Sequence, residues 1–228
     1  MEIALKGKAP FPEDVERLLL SLSKAGFFEH GLLVGSWVFP LYREIFNLSY
    51  ALRTFDIDFA VETISPRHPH SVDLERVLAD LGYLPVPDYR TGLRKFAKGG
   101  FEIEFLVHRK GGREVDKVSL KHLNITAIPL PFVNVLFHSP ILADFGKYKV
   151  RVPCPETLFV HKLFVAQKRV RGIKTENDLA QCKILCARLD DHKLVEIMES
   201  QKISKKTRSL IIASCQAIDF PPQRLRLK

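Results

Sequence analysis

Long apolar stretches are missing from this sequence. No uncharged run approaches the roughly 18 residues that a membrane-spanning helix needs, so no membrane partner is expected. The opening stretch, MEIALKGKAPFPEDVERLLL, lacks the charged n-region, apolar run and small-residue cleavage site of a secretory leader. Cysteine is scarce. Cys154, Cys182, Cys186 and Cys215 form no CxxC pair, which argues against a thiolate zinc site or a disulfide framework and for reduced core thiols. Low-complexity tracts and internal repeats are lacking too. These absences leave a cytoplasmic globular protein as the expectation.

Its 228 residues, 46% hydrophobic and 27% charged, can build one large core or two small ones. The net charge of +9 is unevenly placed: residues 1–150 carry 19 Lys and Arg against 18 Asp and Glu, whereas residues 151–228 carry 16 against 8. A basic C-terminal third attracts polyanions such as nucleic acid, nucleotides or acidic lipid, although a solvated basic helical surface has the same composition.

Periodicity divides the chain in the same place. Residues 12–26 read as a helix, with Val15, Leu18, Leu19 and Leu22 at helical spacing between a proline and Gly26. GLLVGSW reads as strand and turn, followed by a helix to about Leu48. FDIDFAVE alternates as a strand, HSVDLERVLADLG is a capped helix, and GLRKFAKGGFEIEFLVH is a hairpin turning at Gly99-Gly100. Short β-like runs fill residues 122–152, and four helical segments follow from Pro155. The expectation is an α+β protein: a mixed sheet with flanking helices over 1–152, then a basic helical bundle over 153–228.

The chemistry-bearing residues sit in the first of these parts. Asp56 and Asp58 share one face of their strand, with Phe55, Ile57 and Phe59 on the other. Two like charges so close are unfavourable unless a cation or open water separates them. Glu102 and Glu104 repeat the arrangement on a later strand, backed by Ile103 and Phe105. Three carboxylates on adjacent strands, Asp56, Asp58 and either Glu104 or Glu102, can hold two Mg²⁺ ions, with Mn²⁺ as a substitute. Gly35-Ser36 lies about 20 residues before the aspartates at a strand-to-helix junction. There, free N–H groups and the helix dipole can hold phosphate, and Ser36 equally reads as a helix cap. Arg53 either contacts phosphate or pairs with Asp56. Lys162 lies in the apolar run LFVHKLFVA, where an ammonium needs a partner, and Arg169 follows two turns later. Asp178 can pair with Lys174 or Arg169.

The order GS, then DxD, then a single carboxylate on a later strand resembles the polymerase-β-like nucleotidyltransferase superfamily. LRTFDIDFAV looks like the R-x-T-x-D-I-D lead-in of bacterial minimal and AbiEii-toxin-like members. PETLFVHKLFVAQKRVRGIKTENDLAQCKIL is similar to their C-terminal helical segment. The sequence departs from the pattern in the bulky VFPLY after GSW and in a glutamate at the third acidic position. The resemblance implies a nucleotidyltransferase-type sheet and Mg²⁺-dependent transfer of a nucleoside monophosphate from an NTP. The acceptor would be RNA, a protein or a small molecule. Asp56, Asp58 and Glu104 would bind metal and carry catalysis, while Gly35, Ser36, Arg53, Lys162 and Arg169 would bind nucleotide. Two other readings remain: a catalytically silent nucleotide- or nucleic-acid-binding module, and one partner of a toxin–antitoxin or defence pair.

Overall fold

A computed structural model describes the chain apart from residues 8, 52–53, 63–70, 110, 112–114, 168–171 and 228. The chain begins with a short strand, β1 (Glu2–Ala4), and helix α1 (Glu13–Lys24). Acids Glu13, Asp14 and Glu16 occupy the first turn of α1, where the helix dipole favours them, and Val15, Leu18, Leu19 and Leu22 form its buried stripe. Strand β2 (Gly31–Val34) leads through a 3-10 turn (Gly35–Val38) into α2 (Phe39–Phe46). The sequence suggests α-helix directly after Gly35-Ser36. Pro40, which has no N–H to give, sits in the first turn of α2 instead, so the α-helical ladder starts only there.

Strand β3 (Asp56–Val61) and helix α3 (Leu74–Asp80) come next. The strands β4 (Leu84–Pro87), β5 (Arg94–Lys98), β6 (Phe101–His108), β7 (Val118–Leu120), β8 (Ile125–Leu130), β9 (Ile141–Asp144) and β10 (Lys149–Val152) follow. After them come four α-helices: α4 (Pro155–Ala166), α5 (Ile173–Leu185), α6 (Asp191–Glu199) and α7 (Lys205–Ala217).

Seven strands make one mixed sheet in the order β2-β3-β6-β5-β4, with β8 beside β6 and β7 beside β8; β1, β9 and β10 make a second, three-stranded sheet. The long strand β6 organises the larger sheet. Along one edge it runs parallel to β3, which sets Asp56 opposite Glu102 and Asp58 opposite Glu104. Along its other edge the first half pairs antiparallel with β5 and the second half parallel with β8. Ile57, Phe59, Ile103 and Phe105 are buried on the face away from the acids. There the rings of Phe59 and Phe105 stack at 5.8 Å, and Phe27 meets both edge-on at 5.3 and 6.0 Å.

Helix α4 is buried at every position, including Glu156, His161 and Lys162. It packs against α5, α6, α7 and the 3-10 turn Val133–Phe137, and Leu158, His161, Lys162 and Val165 line a cleft along its remaining side. The Tyr42 hydroxyl donates to the Pro153 carbonyl at 2.7 Å and ties α2 to the segment entering α4. All four cysteines are free, with Cys154, Cys182 and Cys215 buried. Among the described residues no helix is long and apolar enough to cross a membrane.

Phe159, fully buried on α4, packs its ring 4.8 Å from that of Phe220. Phe159→Ala is expected to cost about 3–5 kcal/mol in urea unfolding. A loss below about 1 kcal/mol would mean that α4 is not a tightly packed core helix.

Candidate active site

The acidic face of β3 and β6 forms one wall of a cleft of about 1060 Å³. Asp56, Asp58 and Glu104 all line it, as do Gly35 and Ser36 from the end of β2. Val34 pairs with Asp58, so the chain turns at Gly35 directly beside that carboxylate. The turn needs glycine twice over: its φ is +68°, and a Cβ there would stand 2.5 Å from Asp58 Oδ2. Thr54 supports the same wall from below, its hydroxyl accepting the Asp56 N–H at 3.1 Å.

The carboxylates are unequal. Burial, then the charges of Glu104 and Asp56, push Asp58 up to about 7, against a partial opposing pull from Lys162 and Lys174. Glu104 is partnered. Lys95 Nζ lies 2.5 Å from Glu104 Oε1 and 3.4 Å from Glu102 Oε2. The Glu104 carboxylate holds the Lys95 ammonium above its ordinary range. Across three strands the order is therefore Asp58, Glu104, Lys95.

Helices form the facing wall. Lys162 Nζ donates to Asp178 Oδ1 at 2.8 Å, both side chains being 7% exposed, so the lysine in the apolar run finds its counterion on the next helix. One turn further along α5, Gln181 Nε2 donates to Ser36 Oγ at 2.8 Å and links the helices to the Gly35 turn. Lys174, Asp178 and Gln181 line the cleft as one stripe of α5. Leu106, Ile128, Leu130, Leu136, Leu158 and Val165 supply an apolar side to the same cleft, with Arg109 on its margin.

This donor set fits a hard divalent cation. It consists of carboxylate oxygens without sulfur, and the mutual repulsion that raises Asp58 is what a cation would relieve. Among the described residues no three His, Cys, Asp or Glu side chains are gathered closely enough to cage an ion by themselves. Mg²⁺ needs no such cage where a polyphosphate supplies further oxygens.

Of the residues singled out from the sequence, Asp56, Asp58, Glu104, Gly35, Ser36 and Lys162 come together here. Arg53 and Arg169 lie outside the described residues. Glu102 is absent from the cleft lining and faces Lys95. Sequence reading passed over Lys95, Gln181 and Arg109. Lys95 could have been found: a two-residue turn at Gly99-Gly100 pairs Lys98 with Phe101, and counting back three pairs sets Lys95 opposite Glu104. Gln181 had a weaker signal, its position three residues after Asp178.

A family model described as nucleotidyltransferase matches residues 13–203. Among solved structures, the chain is similar to an antigenic nucleotidyltransferase-like protein from Paracoccidioides brasiliensis, at TM-score 0.56 and 14% identity, over 95% of this chain and 94% of that one. This is a likeness of fold. Fainter likenesses reach a tRNA-processing enzyme (TM-score 0.28, 12% identity, 94% of this chain and 59% of that one) and a tRNA nucleotidyltransferase complexed with a primer tRNA and an incoming ATP analog (TM-score 0.25, 13% identity, 90% and 62%). No curated protein matches the chain.

Two stability measurements probe this geometry. Because Asp58 is raised from 3.8 to about 7 in the folded chain, its contribution is full below pH 4 and is lost as pH rises through 7. In metal-free protein Asp58→Asn should therefore raise Tm at pH 8, by about 2–4 °C for each kcal/mol relieved, and the gain should shrink steadily toward pH 5. The same difference in Tm between variant and wild type at both pH values would show that Asp58 is not held in a strained ionised state. Separately, Asp178→Leu strands a buried ammonium and should cost about 3–5 kcal/mol, most of it regained when Lys162→Met is added. Purely additive losses in denaturant unfolding would argue against that pairing.

Proposed function

The chain belongs to the nucleotidyltransferase family, and from that membership we propose that it transfers a nucleoside monophosphate from an NTP to an acceptor oxygen. Asp56, Asp58 and Glu104 would hold two Mg²⁺ ions, or Mn²⁺ in their place. When bound, these ions would neutralise phosphate charge and acidify the attacking hydroxyl. The acceptor oxygen forms a bond to the α-phosphorus, the bond to the β-phosphate oxygen breaks, and pyrophosphate leaves. Glu104, beside Asp58 on the neighbouring strand, would either complete the metal site or take the acceptor's proton. Lys162 keeps donors beyond the one given to Asp178, and with Lys174 it offers positive charge to the triphosphate. The turn at Gly35 brings backbone close to the same region. Leu106, Ile128 and Leu130 would take the apolar face of the nucleoside and exclude water.

The observation that carries this reading is the pairing of Asp58 with Glu104 in one register, facing Lys162 and Lys174 across a single cleft. RNA, a protein and a small molecule remain acceptor classes. The excess charge of residues 151–228 favours a polyanion, and Lys202, Lys205, Lys206 and Arg208 cluster around the start of α7, whose first turn carries no acid. The lead-in to Asp56 supports a place among the bacterial minimal or AbiEii-toxin-like members, with a cytoplasmic setting.

A second reading, a nucleotide-binding module without turnover, is favoured by the two ion pairs Lys95–Glu104 and Lys162–Asp178. These pairs engage groups that transfer would require. Calorimetry of the four NTPs with Mg²⁺, wild type beside Asp58→Asn, tests the proposal, followed by release of pyrophosphate with candidate acceptors. The transferase reading expects Mg²⁺-dependent binding that the variant loses, and turnover with an acceptor. Binding without pyrophosphate release across RNA, protein and small-molecule acceptors would favour the silent module. Absence of any nucleotide binding would remove both.

A further inference from the structure

Four carboxylates project from the same face of β3 and β6, yet they are not equivalent, and Lys95 is what separates them. The hairpin register places it opposite Glu104, on the side away from Asp58. Glu104 is 15% exposed and Glu102 is 46% exposed, and Lys95 lies between them at 2.5 and 3.4 Å. Glu104 thus has two positions it can serve: toward Lys95, as the structure shows, or toward Asp58. Glu104 occupies the first, and no three-carboxylate cage is assembled among the described residues. Lys95 also has two acceptors. A lysine on a flexible four-carbon stem can move from the inner glutamate to the outer one without leaving the face of the sheet.

Resting on the nucleotidyl-transfer reading, we propose that Lys95 is a resident counterion of the site. It holds Glu104 away from Asp58 in the metal-free protein and moves to Glu102 when a divalent cation recruits Glu104. Glu102 is then the receiving partner of Lys95 and no metal ligand, which accounts for the second glutamate two residues before the first. The arrangement offsets part of the negative charge of the acidic face before substrate arrives. It also sets a threshold for cation binding, because the ion that recruits Glu104 must displace an ammonium already in place.

The test is titration with Mn²⁺ alone, followed by the electron paramagnetic resonance of the free ion, and Tm in chelator. Lys95→Met should bind Mn²⁺ more tightly, on the order of three- to tenfold, and should melt lower in chelator. Lys95→Arg keeps the charge but grips a carboxylate with two N–H groups, so it should bind Mn²⁺ more weakly than wild type. In a Glu104→Gln background the gain from Lys95→Met should vanish. Equal tightening with and without Glu104, or unchanged affinity in Lys95→Arg, would overturn the proposal by showing that Lys95 acts only through its general field. That result would leave the transfer reading standing if wild type still binds Mn²⁺. No Mn²⁺ binding by wild type or any variant would overturn both.

Discussion

The parallel pairing of β3 with β6 is the constraint on which the rest of the molecule turns. It sets two acid pairs side by side, a repulsive arrangement on its own. The pairing persists because the reverse faces of the same strands bury Ile57, Phe59, Ile103 and Phe105 in an aromatic cluster with Phe27. A slip of one residue by either strand would put its two acids into that cluster, so apolar packing enforces the register that gathers the charges. The neighbouring elements answer this crowding: Lys95 from β5, Lys162 and Lys174 from the helices, and a glycine where the backbone passes Asp58.

Much of this was legible in the sequence where signals are local. Alternation located β3 and β6, the helical stripe located α1, and the change of pattern at Pro155 matches the onset of helices after β10. The face shared by Asp56 and Asp58 follows from strand geometry alone. Tertiary choices were less accessible. Asp178 Oδ1 accepts a hydrogen bond from Lys162 on the preceding helix, a partner that no short-range pattern names. The contact between Gln181 and Ser36 joins residues 145 positions apart, and no local pattern encodes it. Strands β1, β4 and β7 are only three or four residues long, too short to show a period.

The fully buried α4 joins stability to the site. An apolar helix with Lys162 at its cleft-facing position needs Asp178 to keep that charge in place, and the stripe that carries Asp178 also carries Gln181 to the Gly35 turn. Two hydrogen bonds from one stripe of α5 therefore hold α4 and the turn beside Asp58 to the same helix. Positioning of the turn and packing of the helices become one problem: a change that loosens α4 against α5 also moves the backbone around the acids.

The Gly99-Gly100 turn touches none of the cleft, yet it fixes which side of β5 each residue presents. Seen as heredity rather than mechanics, the site is written partly in a length. A single codon inserted in that turn would change no cleft residue, but it would offset the β5–β6 pairing and force a choice between Phe96 in the core and Lys95 beside Glu104. Both turn glycines have positive φ, +57° and +89°, where other residues are strained, so descendants of this chain could vary neither the turn's letters nor its spacing freely.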